Sequence, residues 1–114
     1  MITVYGIPNC DTVKKAKKWL EKQAINYTFY DFRKEGITQK QVKDWVETLG
    51  LEQLVNKRST TWKALPKTQQ ESFDKKSAIP LIVENPTLIK RPLIENGKDI
   101  TVGFNEEKYL ALFS

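Results

Sequence analysis

The first third of the chain constrains the fold most, because it alternates between two kinds of periodicity. Residues 2–6 are apolar and β-prone, and residues 26–31 are aromatic and β-rich, so both segments predict strands. Between them, residues 11–23 place apolar side chains at helical spacing from Val13, which predicts an amphipathic helix. A strand, a helix and a strand over about 30 residues form a βαβ unit with parallel strands and a right-handed crossover.

The middle of the chain, about residues 33–86, predicts short helices rather than strands. Thr38, with a glutamine three residues later, forms a capping box at the start of one helix. Pro66 suits the first turn of another helix, which we expect to reach about Lys75. Ser77 is predicted to cap a final short helix in this segment.

The last part of the chain predicts a hairpin followed by a helix. The β-prone runs Leu88–Ile94 and Asp99–Val102 lie on either side of a turn at Glu95–Gly97, where the Asn-Gly pair is a strong hairpin signal. Asn105 is predicted to cap the last helix. The order β-α-β, helical middle, β-β-α predicts a single α/β domain over residues 1–114. We expect a thioredoxin-like fold, a four-stranded mixed sheet in which the helical middle is an insertion.

Cys10 is the only cysteine in the chain and lies where the first helix is predicted to begin. Unpaired backbone N–H groups and the positive end of the helix dipole at that position favour thiolate over thiol. Lys14 lies one turn further on the same helix face and can stabilise a thiolate or a bound anion. Pro8 and Asn9 shape the preceding loop, whose N–H groups can hold an anionic group. The alternative is that Cys10 is a small buried hydrophobe, as free cysteines usually are.

Composition excludes several kinds of chemistry. The chain has no histidine, which excludes Cys-His dyads and His-ligated zinc, and one cysteine cannot form an internal disulfide or a Cys-rich metal site. We therefore expect no metal.

No apolar run approaches the roughly 20 residues that span a bilayer, and the N-terminus lacks an export signal. These features predict no membrane partner and a location in the reducing cytoplasm.

A net charge of +5 implies attraction to anions. The lysine-rich run 14–18 is the densest part of that charge. No nucleic-acid-binding signature accompanies it, so we expect no direct binding to nucleic acid.

Three segments of the chain resemble the glutaredoxin-dependent arsenate reductase (ArsC) family, and most closely its Spx/YffB-like branch. These segments are Gly6–Ala16, Asn56–Trp62 and Lys90–Leu93. They occur in the family's order, and the resemblance covers nearly the whole chain. The resemblance implies a nucleophilic cysteine at position 10 and no bound cofactor, with glutathione as co-substrate.

The resemblance also implies roles for three further residues. Arg58 and Arg91 match arginines with which family members bind an oxyanion and stabilise the thiolate, work that suits a planar, permanently charged guanidinium. Pro92 matches the proline that starts the third strand of thioredoxin-like folds, which is typically cis and faces the active cysteine. Asn9 and Lys14 would join the two arginines in orienting the anionic part of the substrate.

The chain departs from the family pattern at three positions. Gly6 stands where true arsenate reductases have a histidine, and Val102 stands where they have a third arginine. Val13 stands where they have a serine and where Spx regulators often have a second cysteine. We therefore expect arsenate to be a poor substrate and the resolving thiol to be external.

Taken together, the resemblance implies a monomeric, glutathione-dependent thiol oxidoreductase with glutathione or glutaredoxin as its partner. Two alternatives stay open: an Spx-type regulator that binds RNA polymerase, and a true arsenate reductase.

Overall fold

The structure is a computed structural model that describes residues 2–97 and 99–113. The chain divides into two compact units. One comprises Met1–Phe32 and Arg91–Ser114, and the other comprises Arg33–Lys90. The second unit includes the predicted insertion, and the assignment of residues 1–114 to a single domain stays a prediction.

The first unit contains a four-stranded mixed sheet. Its strands are β1 (Ile2–Gly6), β2 (Tyr27–Asp31), β3 (Leu93–Asn96) and β4 (Asp99–Val102). Their spatial order is β2-β1-β3-β4. β1 runs parallel to β2 and antiparallel to β3, and β3 runs antiparallel to β4. This arrangement confirms the predicted α/β, thioredoxin-like fold.

The first helix, α1 (Asp11–Lys22), covers one face of this sheet. Val13, Ala16, Trp19 and Leu20 are its buried residues, as the helical spacing predicts. The core between helix and sheet includes Ile2, Val4, Ala16, Trp19, Leu20 and Ile94. Burial of this apolar stripe, rather than helix propensity, holds a twelve-residue helix in place.

The last helix, α8 (Glu106–Phe113), packs on the same core through Tyr109. The Asn105 side-chain oxygen accepts a hydrogen bond from the Lys108 amide at 3.0 Å, which confirms the predicted cap. The Tyr109 hydroxyl donates to the Gly103 carbonyl at 2.6 Å, so its polar end is satisfied although its ring is buried. The second of these bonds joins Gly103, the residue after β4, to α8.

The middle of the chain is helical, as predicted. Its helices are α2 (Phe32–Glu35), α3 (Gln39–Leu49), α4 (Leu51–Leu54), α5 (Thr60–Ala64), α6 (Lys67–Glu71) and α7 (Lys75–Glu84), followed by a 3₁₀ turn at Pro86–Leu88. The Thr38 capping box is present, because the Thr38 hydroxyl accepts from the Gln41 amide and the Gln41 side chain accepts from the Thr38 amide. Among the described residues, no helix is both long enough and apolar enough to cross a membrane.

Two boundaries in this region were predicted incorrectly. The helix that follows Pro66 ends at Glu71 rather than near Lys75. The cap of α7 is Asp74 and not Ser77. The Asp74 carboxylate accepts from the Ser77 amide at 2.8 Å, and the Ser77 hydroxyl accepts from the Asp74 amide at 3.0 Å, so Ser77 is the third helical residue of a capping box.

The hairpin is also shorter at its start than predicted. Leu88 belongs to the 3₁₀ turn, and β3 begins only at Leu93, after the proline, which lacks the N–H that a ladder needs. At its other end β3 continues through Asn96, which pairs with Asp99. The turn therefore begins at Gly97 rather than Glu95, and Lys98 lies outside the described residues.

Candidate functional site

Cys10 lies at the N-cap of α1. Its backbone is extended, with φ of −96° and ψ of 126°, and its carbonyl accepts the first helical hydrogen bond from the Lys14 amide at 2.9 Å. The Cys10 side chain makes no capping hydrogen bond, and the residue is partly exposed. Cys10 is therefore not fully buried, and its reactivity stays a prediction. The first N–H groups of α1 lack the side-chain cap that Ser, Thr, Asp or Asn would supply, so they can face a thiolate or an anion.

The loop before Cys10 is held at one end by close packing against α1. Gly6 ends β1, and a Cβ atom built on it would lie 2.8 Å from the Val13 Cγ2 atom. The glycine therefore lets the first turn of α1 approach the end of β1 more closely than any side chain would permit. After the buried Ile7, Pro8 and Asn9 are exposed, which presents the loop to solvent.

The predicted cis peptide bond between Arg91 and Pro92 is present. Tyr5 pairs with Leu93, and β1 and β3 are antiparallel, so Pro92, which precedes Leu93, lies beyond this pair at the Gly6 end of β1. The Pro92 carbonyl accepts a hydrogen bond from the Gly103 amide at 2.9 Å. Pro92 is buried and Arg91 is partly exposed. The sheet thus brings Arg91 and Pro92 to the same edge from which the Cys10 loop leaves.

The end of β4 reaches this edge as well. Val102 pairs with Leu93, the residue that follows Pro92. The position at which the resemblance implies a third arginine in arsenate reductases is therefore part of the sheet end that includes Pro92. In this chain an uncharged side chain occupies it.

Asp31 is a residue at this edge that the sequence reasoning missed. It ends β2 and is level with Gly6 in the parallel register. Ligands of α/β sheets bind outside the carboxyl ends of parallel strands, so an acidic residue at the predicted end of β2 was the available signal.

The remaining predicted site residues have exposed side chains. Lys14 is exposed one turn along α1 from Cys10. Arg58 is exposed in the second unit, in a turn where the Asn56 side chain accepts from the Arg58 amide at 3.0 Å. The joint action of Arg58 with Cys10 stays a prediction. Within residues 2–97 and 99–113, no group of three His, Cys, Asp or Glu side chains has metal-binding geometry.

Comparison with known proteins extends the likeness along the whole chain. The ArsC family model matches residues 5–112. An uncharacterized protein of Haemophilus influenzae is 47% identical over 114 residues, which cover all of both chains. The global transcriptional regulator Spx of Staphylococcus aureus is 30% identical over 110 residues, which cover 95% of this chain and 83% of Spx.

Solved structures of similar proteins show the same likeness over nearly the whole chain. A YFFB protein superposes with a TM-score of 0.96 at 34% identity and full coverage of both chains. An arsenate reductase (ArsC) related protein from Brucella melitensis superposes with a TM-score of 0.78 at 41% identity, covering 99% of this chain and 94% of the other. The fold, the site sequence and the full-length match therefore converge, and the chain belongs to the ArsC family, in its Spx/YffB-like branch.

Proposed function

We propose that this chain is a thiol oxidoreductase that uses Cys10 as its nucleophile and glutathione as its resolving thiol. The observation that supports this best is the position of Cys10, partly exposed at the uncapped N-terminus of a twelve-residue helix. Free N–H groups and the helix dipole stabilise a negative charge on sulfur there. Membership of the ArsC family supports the same chemistry.

The proposed cycle has two thiol–disulfide exchanges. In the first, the Cys10 thiolate attacks the glutathione sulfur of a mixed disulfide; a Cys10–glutathione disulfide forms, and the substrate leaves as a thiolate that takes a proton from solvent. In the second, a glutathione thiolate attacks the glutathione sulfur bound to Cys10, which releases oxidised glutathione and restores the Cys10 thiolate. The substrate is reduced by two electrons, and two glutathione sulfurs end as one disulfide. A second cysteine is not needed.

The charged residues of the site would act on the glutathione moiety. Lys14 and Arg91 carry positive charges near the ends of α1 and β3 that flank the Cys10 loop, and glutathione has two carboxylates. Asn9, exposed beside Cys10, would hydrogen-bond the peptide part, and Pro92 would shape the wall of the site. We assign Arg58 the same anion-binding role from the family motif. Because the cycle needs a pool of reduced glutathione, we propose the cytoplasm as its location.

The test is turnover of a glutathione mixed disulfide, coupled to glutathione reductase and followed through NADPH oxidation. We expect Cys10→Ser to abolish turnover, because an alcohol cannot form the mixed disulfide. Thr12→Ser, a conservative change two residues away, is the matched control and should retain turnover. Turnover retained in Cys10→Ser would contradict the mechanism.

A second candidate function is regulation through binding to RNA polymerase. The 30% identity to the regulator Spx over most of both chains favours it. Val13 stands where Spx regulators often have a second cysteine, so any such role here would proceed without an intramolecular disulfide switch. Capture of polymerase subunits by immobilised protein, equal for the wild type and Cys10→Ser, would support this function over the enzymatic one.

Reduction of arsenate is the least supported activity. The Gly6 position has no room for a side chain while Val13 is in place, and Val102 is uncharged. We expect an arsenate assay coupled to glutaredoxin and NADPH to show little or no rate above background.

A further inference from the structure

The exposed face of α1 carries an unusual concentration of positive charge. The helix has five lysines and two acidic residues, so it contributes +3. The rest of the sequence of the first unit has three cations and five acids, so it contributes −2. The positive charge of this unit is therefore concentrated on the one helix that begins at Cys10.

The lysines on this face are not neutralised by their own helix. Glu21 accepts a hydrogen bond from the Tyr27 hydroxyl at 3.1 Å, and Asp11 lies in the first turn, where it interacts with the helix dipole. Lys17 places its ammonium 3.8 Å above the Phe29 ring. Within the described residues, neither Lys14, Lys15, Lys18 nor Lys22 forms an ion pair with a carboxylate. Their charges remain available to a partner.

The face also has a shallow surface depression between its side chains, called here the α1 groove. Asp11, Lys14, Lys15, Lys17, Lys18 and Glu21 line a shallow groove along the helix. Twelve helical residues span about 18 Å, the length of five or six residues of an extended peptide. The groove begins at Asp11, the residue after Cys10, and Lys14 lies one turn from Cys10 on the same side of the helix.

We propose that the α1 groove binds the acidic segment of a partner protein, next to the cysteine whose mixed disulfide is presented to Cys10. The proposal rests on the proposed function for its chemistry and on the helix charge for its binding. Charge complementarity favours a short acidic peptide over nucleic acid, because Asp11 and Glu21 bound the four lysines of the groove at its two ends. A few carboxylates can lie between these two acids, whereas a continuous phosphate backbone would run past both of them. The helix also contains no arginine, the side chain that binds phosphate in a bidentate manner. The groove thereby selects substrates by charge.

The first experiment measures binding without chemistry. A fluorescein-labelled peptide with glutamates on both sides of a serine is titrated with the wild-type protein, and its anisotropy is compared with that of a glutamine version of the peptide. We expect the glutamate peptide to bind more tightly, by on the order of tenfold at low salt, with the difference shrinking at physiological ionic strength. Equal binding of the two peptides would overturn the proposal.

Matched variants locate the surface. Replacing Lys15, Lys18 and Lys22 by glutamine removes three charges from α1 and leaves Lys14 in place. Replacing Lys40, Lys43 and Lys76, which are exposed on other helices, removes the same charge elsewhere. We expect only the α1 variant to lose the glutamate preference. An equal loss of the glutamate preference in both variants would show that net charge alone causes the preference, and it would overturn the α1 site.

Turnover separates this proposal from the proposed function. Kinetics are measured with the mixed disulfide of 2-mercaptoethanol and glutathione, which carries no peptide, and with glutamate-flanked and glutamine-flanked peptides that carry a glutathione mixed disulfide. We expect the α1 variant to lower kcat/KM for the glutamate peptide alone, by about the fold change seen in binding. If no disulfide is turned over but glutamate binding persists, the enzymatic function fails and the docking surface stands. If duplex DNA binds and α1 substitution releases it while the two peptides bind equally, the acidic-protein assignment is wrong.

Discussion

Cys10 occupies a position where a helix usually has a side chain that accepts hydrogen bonds from its first amides. A thiol is a weak acceptor, so the first turn of α1 is left without the stabilisation that an N-cap supplies. The first turn of α1 is therefore less stable than it would be with a serine, threonine, aspartate or asparagine at the N-cap. The backbone amides of this turn, which receive no hydrogen bond from the Cys10 side chain, are available to a thiolate or an anion. At this residue, helix stability and the proposed reactivity are therefore opposed.

Gly6 and Val13 form a close steric contact between the end of β1 and the first turn of α1. Gly6→Ala places a Cβ atom 2.8 Å from the buried Val13 side chain, and we expect a loss of about 1–3 kcal/mol of unfolding free energy. The glycine is not at positive φ, so steric overlap rather than backbone strain is the cause. Urea denaturation measures the loss.

A double-mutant cycle tests that cause. In a Val13→Ala background the overlap is absent, so the cost of Gly6→Ala should fall. Val46→Ala truncates another buried valine, in α3, and should give no such rescue. An equal cost of Gly6→Ala in all three backgrounds would show that overlap with Val13 is not responsible.

Thr101 in β4 has a buried hydroxyl that finds no hydrogen-bond partner among the described residues. Thr101→Val keeps the shape and removes the unsatisfied group, so we expect unfolding free energy to rise by about 1 kcal/mol. Thr28→Val, on an exposed position of β2, is the control and should change stability little. A destabilised Thr101→Val protein in thermal melts would mean that the hydroxyl is satisfied.

At the scale of elements, capping sets the helix boundaries of the middle segment. Asp74 and Ser77 are both good capping residues, and their separation of three allows either to begin α7 by propensity alone. The capping box forms from Asp74, so α7 begins three residues earlier than a Ser77 cap implies and includes Pro80 in its interior. Pro80 has no backbone N–H, so α7 lacks one of its internal hydrogen bonds at this position.

The Asp74 cap makes the stability of α7 depend on pH. Hydrogen bonds from the Ser77 amide and hydroxyl lower the pKa of Asp74 below its usual value. Because the folded pKa is depressed, the stabilisation is present above the unfolded pKa of about 3.9 and is lost as pH falls through the folded pKa. Asp74→Asn keeps an acceptor but does not titrate. The difference in unfolding free energy between wild type and Asp74→Asn should therefore shrink from pH 5 to pH 3. A difference independent of pH would contradict the assignment.

At the scale of the whole molecule, net charge governs encounter with anionic substrates. The chain carries +5, and its most concentrated lysines follow Cys10 along α1. We expect the rate constant for the single reaction of the Cys10 thiolate with oxidised glutathione, an anion, which forms the Cys10–glutathione disulfide and releases one glutathione thiolate, to fall several-fold as ionic strength rises from low to physiological and beyond, because salt screens the attraction. The rate constant for the corresponding single reaction of Cys10 with neutral hydroxyethyl disulfide should stay nearly constant and serves as the control. Equal salt dependence for both disulfides would exclude electrostatic attraction as the cause.

Prediction succeeded where the signal is local. The apolar spacing from Val13, the Thr38 capping box and the Asn105 cap each depend on residues within about one or two helical turns, and all three are present. It failed at the start of the hairpin, where Leu88 ends a 3₁₀ turn and Ile89 forms only an isolated β-bridge with Val55 instead of the predicted strand. A strand needs a neighbouring strand to pair with, and β3 pairs with β1 only from Leu93 onwards, so the residues before Leu93 have no partner in β1.

By itself, the sequence determined the chemistry that is available and the local elements that present it. One cysteine, the absence of histidine and a lysine-rich helix after the cysteine follow from composition and spacing alone. Only the tertiary structure decided that the ends of β1 and β4 and the start of β3 meet, bringing Gly6, Pro92 and Val102 to one edge of the sheet. Strand register depends on hydrogen bonds between residues far apart in sequence, and no local pattern encodes it. The same holds for the contact distance between Gly6 and Val13, which depends on how closely α1 packs on the sheet.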